Sequence, residues 1–254
     1  MKLFGSVAIL GALFTAVGES VLAQIVPDNT LGAGGSVVIP NVNIQGIPSD
    51  RIDGGATRGA NLFHSFGEFN VGSGRGAYFT NPTGIENILT RVTGSNASNI
   101  FGRLGVLGGA NLFLLNPNGI VFGPNASLDI QGSFVATTAD GIQLGDSNYF
   151  SAAQPQTSSL LSVSPGALFF NAVANQPTSI INQGNLATGK NLTLSAGNLD
   201  LQGQLLSGGD LTLQAQDTVK VRDSVATPFL AQSGENLTIV GKGGIDILAL
   251  NHPT

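Results

Sequence analysis

Leu192 and Leu194 recur nineteen residues later as Leu211 and Leu213, and Leu199 and Leu201 recur twenty residues later as Val219 and Val221. Two period-two apolar segments therefore advance together along the chain, separated by Gly, Asn, Asp and Ser. Leu237, Ile239, Ile245 and Ile247 follow Leu211, Leu213, Val219 and Val221 at a longer interval and keep their internal step of eight. The longer interval predicts an inserted loop of about six residues around Thr227-Pro228-Phe229. A step near 20 with short strands and no intervening helix fits a solenoid whose coils stack at the inter-strand spacing of ~4.8 Å. That is a parallel β-helix, with Leu192, Leu194, Leu211, Leu213, Leu237 and Ile239 in one internal stack and Thr193, Thr212 and Thr238 facing outward. A β-sandwich with accidental similarity is the rival. A helical fold fails, since Gly costs roughly 1 kcal/mol against Ala in a helix interior and the segments are too short.

The composition follows from that architecture. Tight corners call for positive φ, which predicts that the 36 Gly and 22 Asn sit there. Pro falls at expected corners, in Asn81-Pro82, Asn116-Pro117, Gly123-Pro124 and Ser164-Pro165. With 42% hydrophobic residues and a net charge of only −5, the chain can bury a core and is not of the disordered class. The acidic balance, 15 Asp and Glu against 10 Lys and Arg, gives no field for phosphate backbones, so nucleic acid is not an expected partner. No Cys and only His64 and His252 remove thiolate and imidazole metal sites, and neither cofactor nor metal is expected. The aromatics are 14 Phe, two Tyr and no Trp, which does not encourage a sugar-binding platform.

The N-terminal segment 1–23 carries Lys2, an apolar run from Leu3 to Val17, and Val21-Leu22-Ala23 before Gln24. The run is too short to span a bilayer and ends in small residues at the positions that signal peptidase reads, so cleavage is expected between Ala23 and Gln24. Loss of Lys2 and Glu19 leaves the mature charge unchanged. A secreted chain without Cys also cannot be crosslinked in an oxidising compartment before it crosses the next membrane.

Residues 24–150 show no clean step of twenty but contain blocks that resemble a known family. Asp50-Arg51-Ile52-Asp53-Gly54-Gly55, the run from Asn61-Leu62-Phe63-His64 to Phe69-Asn70-Val71, and Ile88-Leu89-Thr90-Arg91-Val92-Thr93-Gly94 are of this kind. So is Ala110 to Gly123, containing Asn116-Pro117-Asn118-Gly119-Ile120, continued by Ser133-Phe134-Val135-Ala136-Thr137-Thr138. In content and order these resemble the N-terminal secretion domain of filamentous haemagglutinins, the exported partners of two-partner secretion, with wording closest to cyanobacterial members. Some relatives carry an earlier Asn-Pro-Asn-Leu motif; this chain has Asn81-Pro82-Thr83-Gly84-Ile85, and the motif's role is not carried over.

The resemblance implies an all-β fold, a right-handed parallel β-helix with N-terminal capping strands. It implies a signal peptide over 1–23, a two-partner secretion domain over 24–150 and further β-helix coils over 151–254. It implies a non-enzymatic, secreted or surface protein that passes through the periplasm, with an adhesin role. Its partners would be an outer-membrane β-barrel transporter with periplasmic recognition domains and a host or cell-surface ligand. Asn116, Pro117, Asn118, Gly119 and Ile120 form either a structural turn or the surface that the transporter recognises, Pro117 fixing φ and Asn118 taking the left-handed region.

A β-helical polysaccharide lyase or hydrolase is the alternative. It needs clustered carboxylates, and Asp200, Asp210, Asp217 and Asp223 would have to converge, since the chain has no adjacent Asp pair and no basic strand. No catalytic residue is assigned. Gly72, Gly74 and Gly76 lack dinucleotide-site spacing, Gly208-Gly209-Asp210 lacks the calcium nonapeptide repeat, and His64 reads as a packed residue. The sequons at Asn96, Asn125, Asn191 and Asn236 are expected by chance in an Asn-rich chain. The chain ends at Leu250-Asn251-His252-Pro253-Thr254 without an evident polar cap, which suggests a portion of something longer.

Overall fold

Each turn of the chain lays one strand on each of three sheets. The computed structural model describes residues 24–169, 178–225 and 227–250, with 167–169 as backbone only. Sheet I stacks Asn61–Phe69, Asn87–Val92, Asn111–Leu115, Phe134–Thr137, Leu192–Ala196, Leu211–Ala215 and Leu237–Gly241. Sheet II stacks Ser98–Ile100, Ile120–Phe122, Ser179–Asn182, Asn198–Leu201, Thr218–Arg222 and Gly244–Leu248. Sheet III continues from Ile47–Gly54 through Gly76–Thr80, Arg103–Leu107, Ser127–Asp129, Asn185–Thr188 and Gln204–Ser207 to Leu230–Ser233. These stacked neighbours pair in parallel, so the expected all-β parallel β-helix is the observed fold.

The register matches the predicted stack: Leu211 pairs with Leu192 and Leu237, Leu213 with Leu194 and Ile239, and Thr212 with Thr193 and Thr238, although Leu237, expected inside, is exposed in the last described coil. The periodicity revealed two strands per coil where there are three. The missed one, Gln204–Ser207 and its equivalents, is short and follows closely on its sheet II predecessor, Asn198–Leu201. The inserted loop is the link from Arg222 to Leu230, at the expected place.

Alternate side chains fill the lumen, where Leu62, Phe66, Ile88, Leu112, Leu114, Phe134, Leu192, Leu194, Leu211 and Leu213 belong to one buried cluster. At the N-terminal end the edges of sheets I and III are closed by antiparallel strands: Ile25–Pro27 along Asn61–Phe69, Ala56–Arg58 on the same strand, and Ser36–Ile44 against Ile47–Gly54. Antiparallel closure satisfies an edge that would otherwise invite pairing with another chain.

Phe134 pairs with Leu192, far ahead in the sequence, because the chain leaves sheet I after Thr137 and rejoins the coils only at Ser179. In between, Gly141–Leu144 pairs antiparallel with Asn148–Ser151 and with Pro165–Phe169. This excursion lies on the outer face of sheet I, where Ile142, Leu144 and Phe150 pack with Phe63, Leu89 and Leu115 in a second core. Sheet I is thus buried on both faces in its early coils, and strands buried on both faces read as continuous apolar runs without alternation.

Candidate functional site

The motif turn sits at the corner between Asn111–Leu115 and Ile120–Phe122. Gly119 N–H donates to the Asn116 carbonyl at 3.1 Å, closing a four-residue turn with Pro117 at its second position. Asn116 is fully buried; its Nδ2 donates to the Asn96 carbonyl and to Ser98 Oγ, both at 3.0 Å, on the preceding coil. Its Oδ1 accepts from the Asn118 N–H at 2.9 Å. Asn118 is exposed, and its Nδ2 donates to the Gly94 carbonyl at 2.7 Å.

Asn118 does not adopt the left-handed conformation expected of it; Gly119 does, at φ +113°. The Asx contact from Asn116 supports ordinary turn geometry at Asn118 and moves the strain one residue on. A Cβ at Gly119 would lie 3.2 Å from the Ser179 carbonyl, so a side chain there would be strained by its backbone conformation and crowded by that oxygen. Ile120 is buried in the lumen. The motif therefore offers solvent Asn118 and part of Pro117, while Asn116, Gly119 and Ile120 bind coil to coil. Gln24 is exposed just before the first strand, its carbonyl accepting from Asn70 N–H at 3.1 Å; Ala23 and the rest of the expected leader lie outside the described residues.

A polar column crosses every coil at the corner leading into sheet I. Asn87 Nδ2 donates to Asn61 Oδ1 at 3.0 Å, and Asn111 Nδ2 to Asn87 Oδ1 at 2.9 Å. Ser133 N–H donates to Asn111 Oδ1, Asn191 N–H to Ser133 Oγ, Asp210 N–H to Asn191 Oδ1, and Asn236 N–H to Asp210 Oδ1. The expectation that Asn supplies positive φ is thereby corrected. Among the described residues the non-glycine positive-φ positions are Asn41 and Gln45, and corner Asn instead use their amides to cap the backbone of the next coil.

Arg91 is the largest fully buried side chain. Its Nε donates to Ser65 Oγ at 2.9 Å, Nη2 to Thr30 Oγ1 at 2.8 Å, and Nη1 to the Ser151 carbonyl at 2.7 Å and Ser158 Oγ at 2.5 Å. Its guanidinium carbon lies 4.6 Å from the centre of the Phe150 ring. Burial pushes its pKa down to about 10, the charge of Asp28 partly opposing this, so it stays a cation at neutral pH. Burial alone would raise the Asp28 carboxyl, but hydrogen bonds from Thr30, Thr93 and Ser65 outweigh it and hold Asp28 below its ordinary value.

His64 is packed, as its sequence context indicated: it is buried beside Phe66 and Phe79, with Nδ1 3.0 Å from Ser36 Oγ. Burial lowers its pKa to about 4. Among the described residues no group of three or more His, Asp or Glu could hold a metal ion. The four aspartates named above are dispersed. Asp200 pairs across sheet II with Lys220, Asp210 belongs to the polar column, the Asp217 carbonyl takes the Gly243 N–H, and Asp223 accepts from the Phe229 and Leu250 N–H groups.

Sequence reasoning missed both the column and the Arg91 network. The column had a signal, a polar residue, mostly Asn, directly before or at the start of an apolar strand in each coil. Arg91 had none beyond its place in an apolar run.

Residues 23–248 match a family model described as the TPS secretion domain. No curated protein matches the sequence. Among solved structures, the HMW1 secretion domain from Haemophilus influenzae is similar at 18% identity and a TM-score of 0.45, over 85% of this chain and 66% of that one. The chain thus spans just under two thirds of that domain. The filamentous hemagglutinin secretion domain is similar at 16% identity and a TM-score of 0.33, over 88% of this chain and 99% of that one.

Proposed function

From the premise that this chain belongs to the TPS secretion-domain family, we propose that its β-helix is the export signal read by a cognate outer-membrane β-barrel transporter. The observation that carries this is the family match itself, which runs through every coil rather than over one motif. TPS secretion domains belong to exported proteins of two-partner systems, so secretion and a transporter partner follow from membership.

The route is the finer part of the proposal. Residues 1–23 direct the chain across the inner membrane and are cut off between Ala23 and Gln24. The still unfolded chain meets the transporter's periplasmic domains, where its extended amphipathic segments add to a sheet edge through main-chain hydrogen bonds. Outside, coils stack one on another, each burying apolar side chains at roughly 25 cal/mol per Å², and the wound product cannot return. Residues 24–150 carry the recognition function, and past the excursion the strands from Ser179–Asn182 to Gly244–Leu248 extend the helix; the turn Asn116 to Ile120 acts within the first region. The chain performs no catalysis itself, and its role outside is that of an adhesin or surface protein toward a host or cell-surface ligand.

Co-expression tests this reading. A tagged chain is expected in the medium of cells holding a candidate two-partner transporter, and in the periplasm of cells lacking it. Retention beside a transporter that exports its own partner would overturn the reading.

A further inference from the structure

Arg91 joins three parts of the chain that are far apart in sequence. Through Thr30 it holds the N-terminal segment, through Ser65 the first coil, and through Ser151 and Ser158 the excursion outside the helix. Among the described residues it is the one buried Lys or Arg. No carboxylate bonds it directly; Asp28 is reached through Thr30 and Ser65, which accept from Arg91 and donate to Asp28. A buried charge left with some partners missing costs more than the partners contribute when all are present. If the excursion lifts away, Arg91 loses the Ser151 carbonyl, Ser158 Oγ and the Phe150 ring, and water must reach it from that side. The hydroxyls holding the N-terminal segment are then solvated too. If the N-terminal segment lifts, Arg91 loses Thr30 Oγ1, and the groups that hold the excursion are solvated in turn.

We propose that Arg91 is a latch that couples the N-terminal capping segment (residues 25–31) to the excursion (residues 139–161), so that neither is held firmly until both are in place. The coupling is a property of the folded chain and goes beyond the export reading. Its consequence for export does rest on that reading: the cap would lock only after residue 158 has crossed the membrane, which keeps the early coils open while the transporter still holds the chain.

Native-state hydrogen exchange on the purified full chain tests the coupling without any transporter, so its failure is separate from a failure of the export reading. The informative amides are Asp28, bonded to the Ser65 carbonyl, and Ala152 and Ser159, bonded to the Asp140 and Tyr149 carbonyls. Ser158→Ala is expected to speed exchange at Asp28 about tenfold, and Thr30→Val to speed exchange at Ala152 and Ser159 to a similar extent, with Leu213 and Ala215 unchanged. In an Arg91→Gln background neither substitution should reach the other segment. Should Arg91→Gln not fold, the two crossed effects in the native background still decide. Loosening confined to the substituted segment, or the same crossed effects without Arg91, would overturn the latch.

Discussion

Burial sets what His64 and Asn116 contribute, and only one of the two responds to pH. His64 has a folded pKa near 4 against an ordinary value of 6.5. Between those values the unfolded chain binds a proton that the folded chain refuses, so stability falls as pH drops from 6.5 toward 4 and levels off below. The full loss is on the order of 3 kcal/mol. Asp28, held below its ordinary value, adds a further loss in more acid solution. Urea unfolding at pH 7.5 and 4.5 should show a drop that His64→Gln largely removes; an unchanged drop in that variant would assign the acid sensitivity elsewhere. Asn116 does not titrate, and its cost is that of orphaned partners. Asn116→Ala strips Ser98 Oγ and the Asn96 carbonyl of a buried donor and should cost about 2–3 kcal/mol, whereas Asn118→Ala, at an exposed site, should cost less than about 1 kcal/mol. Comparing their secretion then separates roles. An Asn118→Ala chain that melts normally but stays in the periplasm would make the turn a recognition surface, and normal export would leave it a structural corner.

At the scale of strands and corners, the column of Asn amides needs close coils, and close coils need glycine beside it. A Cβ on Gly189 would run into the Gln131 carbonyl, one on Gly208 into that of Gly189, and one on Gly234 into that of Gly208, each closer than the 3.0 Å that real Cβ atoms keep. None of the three has positive φ, so contact rather than conformation excludes a side chain there. Gly208→Ala is expected to cost about 1–3 kcal/mol by forcing coils apart, while Gly109→Ala, with nothing within 4 Å of its Cβ, should be nearly neutral in the same denaturant titration. These corners also explain what could be read in advance. In the second half the regular step from Leu192 to Leu211 stands out because lumen and solvent faces alternate. In the first half the steps from Asn61 to Asn87, from Asn87 to Asn111 and from Leu112 to Phe134 are all longer than that and all different. Uneven steps blur a period. The excursion also buries the outer face, making Phe63 and Leu89 as apolar as Leu62 and Ile88. Only the Asn at the head of these strands kept the register visible, and reading Asn as a turn former concealed it. The motif residues could be located from sequence, but the partners of Asn116 lie on another coil and could not.

For the molecule as a whole, the contact pattern governs how fast it winds. Its local pairings include those at the capped end, in the hairpin joining Ile44 to Ile47 and in the return from Arg58 to Asn61. Every parallel pairing between coils closes a loop at least as long as that from Leu192 to Leu211, and the pairing of Phe134 with Leu192 must span the whole excursion as well. Loop closure must precede the reward of stacking, and folds built from such pairings are slow, reaching milliseconds to seconds even in small domains. Charge does little to hasten or hold the process. Three ion pairs are formed among the described residues: Arg51 with Asp53 and Arg222 with Asp246, each with an exposed partner, and Arg75 with Asp50, which is partly buried. Raising NaCl from about 0.1 to about 0.5 M should therefore move unfolding stability by less than about 1 kcal/mol. On the proposed export route, slow winding would keep the chain threadable until it has crossed the membrane. Pulse-labelled exchange during refolding from urea should find the Ser36–Gly54 hairpin protected first and Leu237–Gly241 last, because each new coil needs the edge of the one before it. Protection of all coils together within a few milliseconds would mean that the helix collapses as a unit, and transport would then have to hold the chain open by other means.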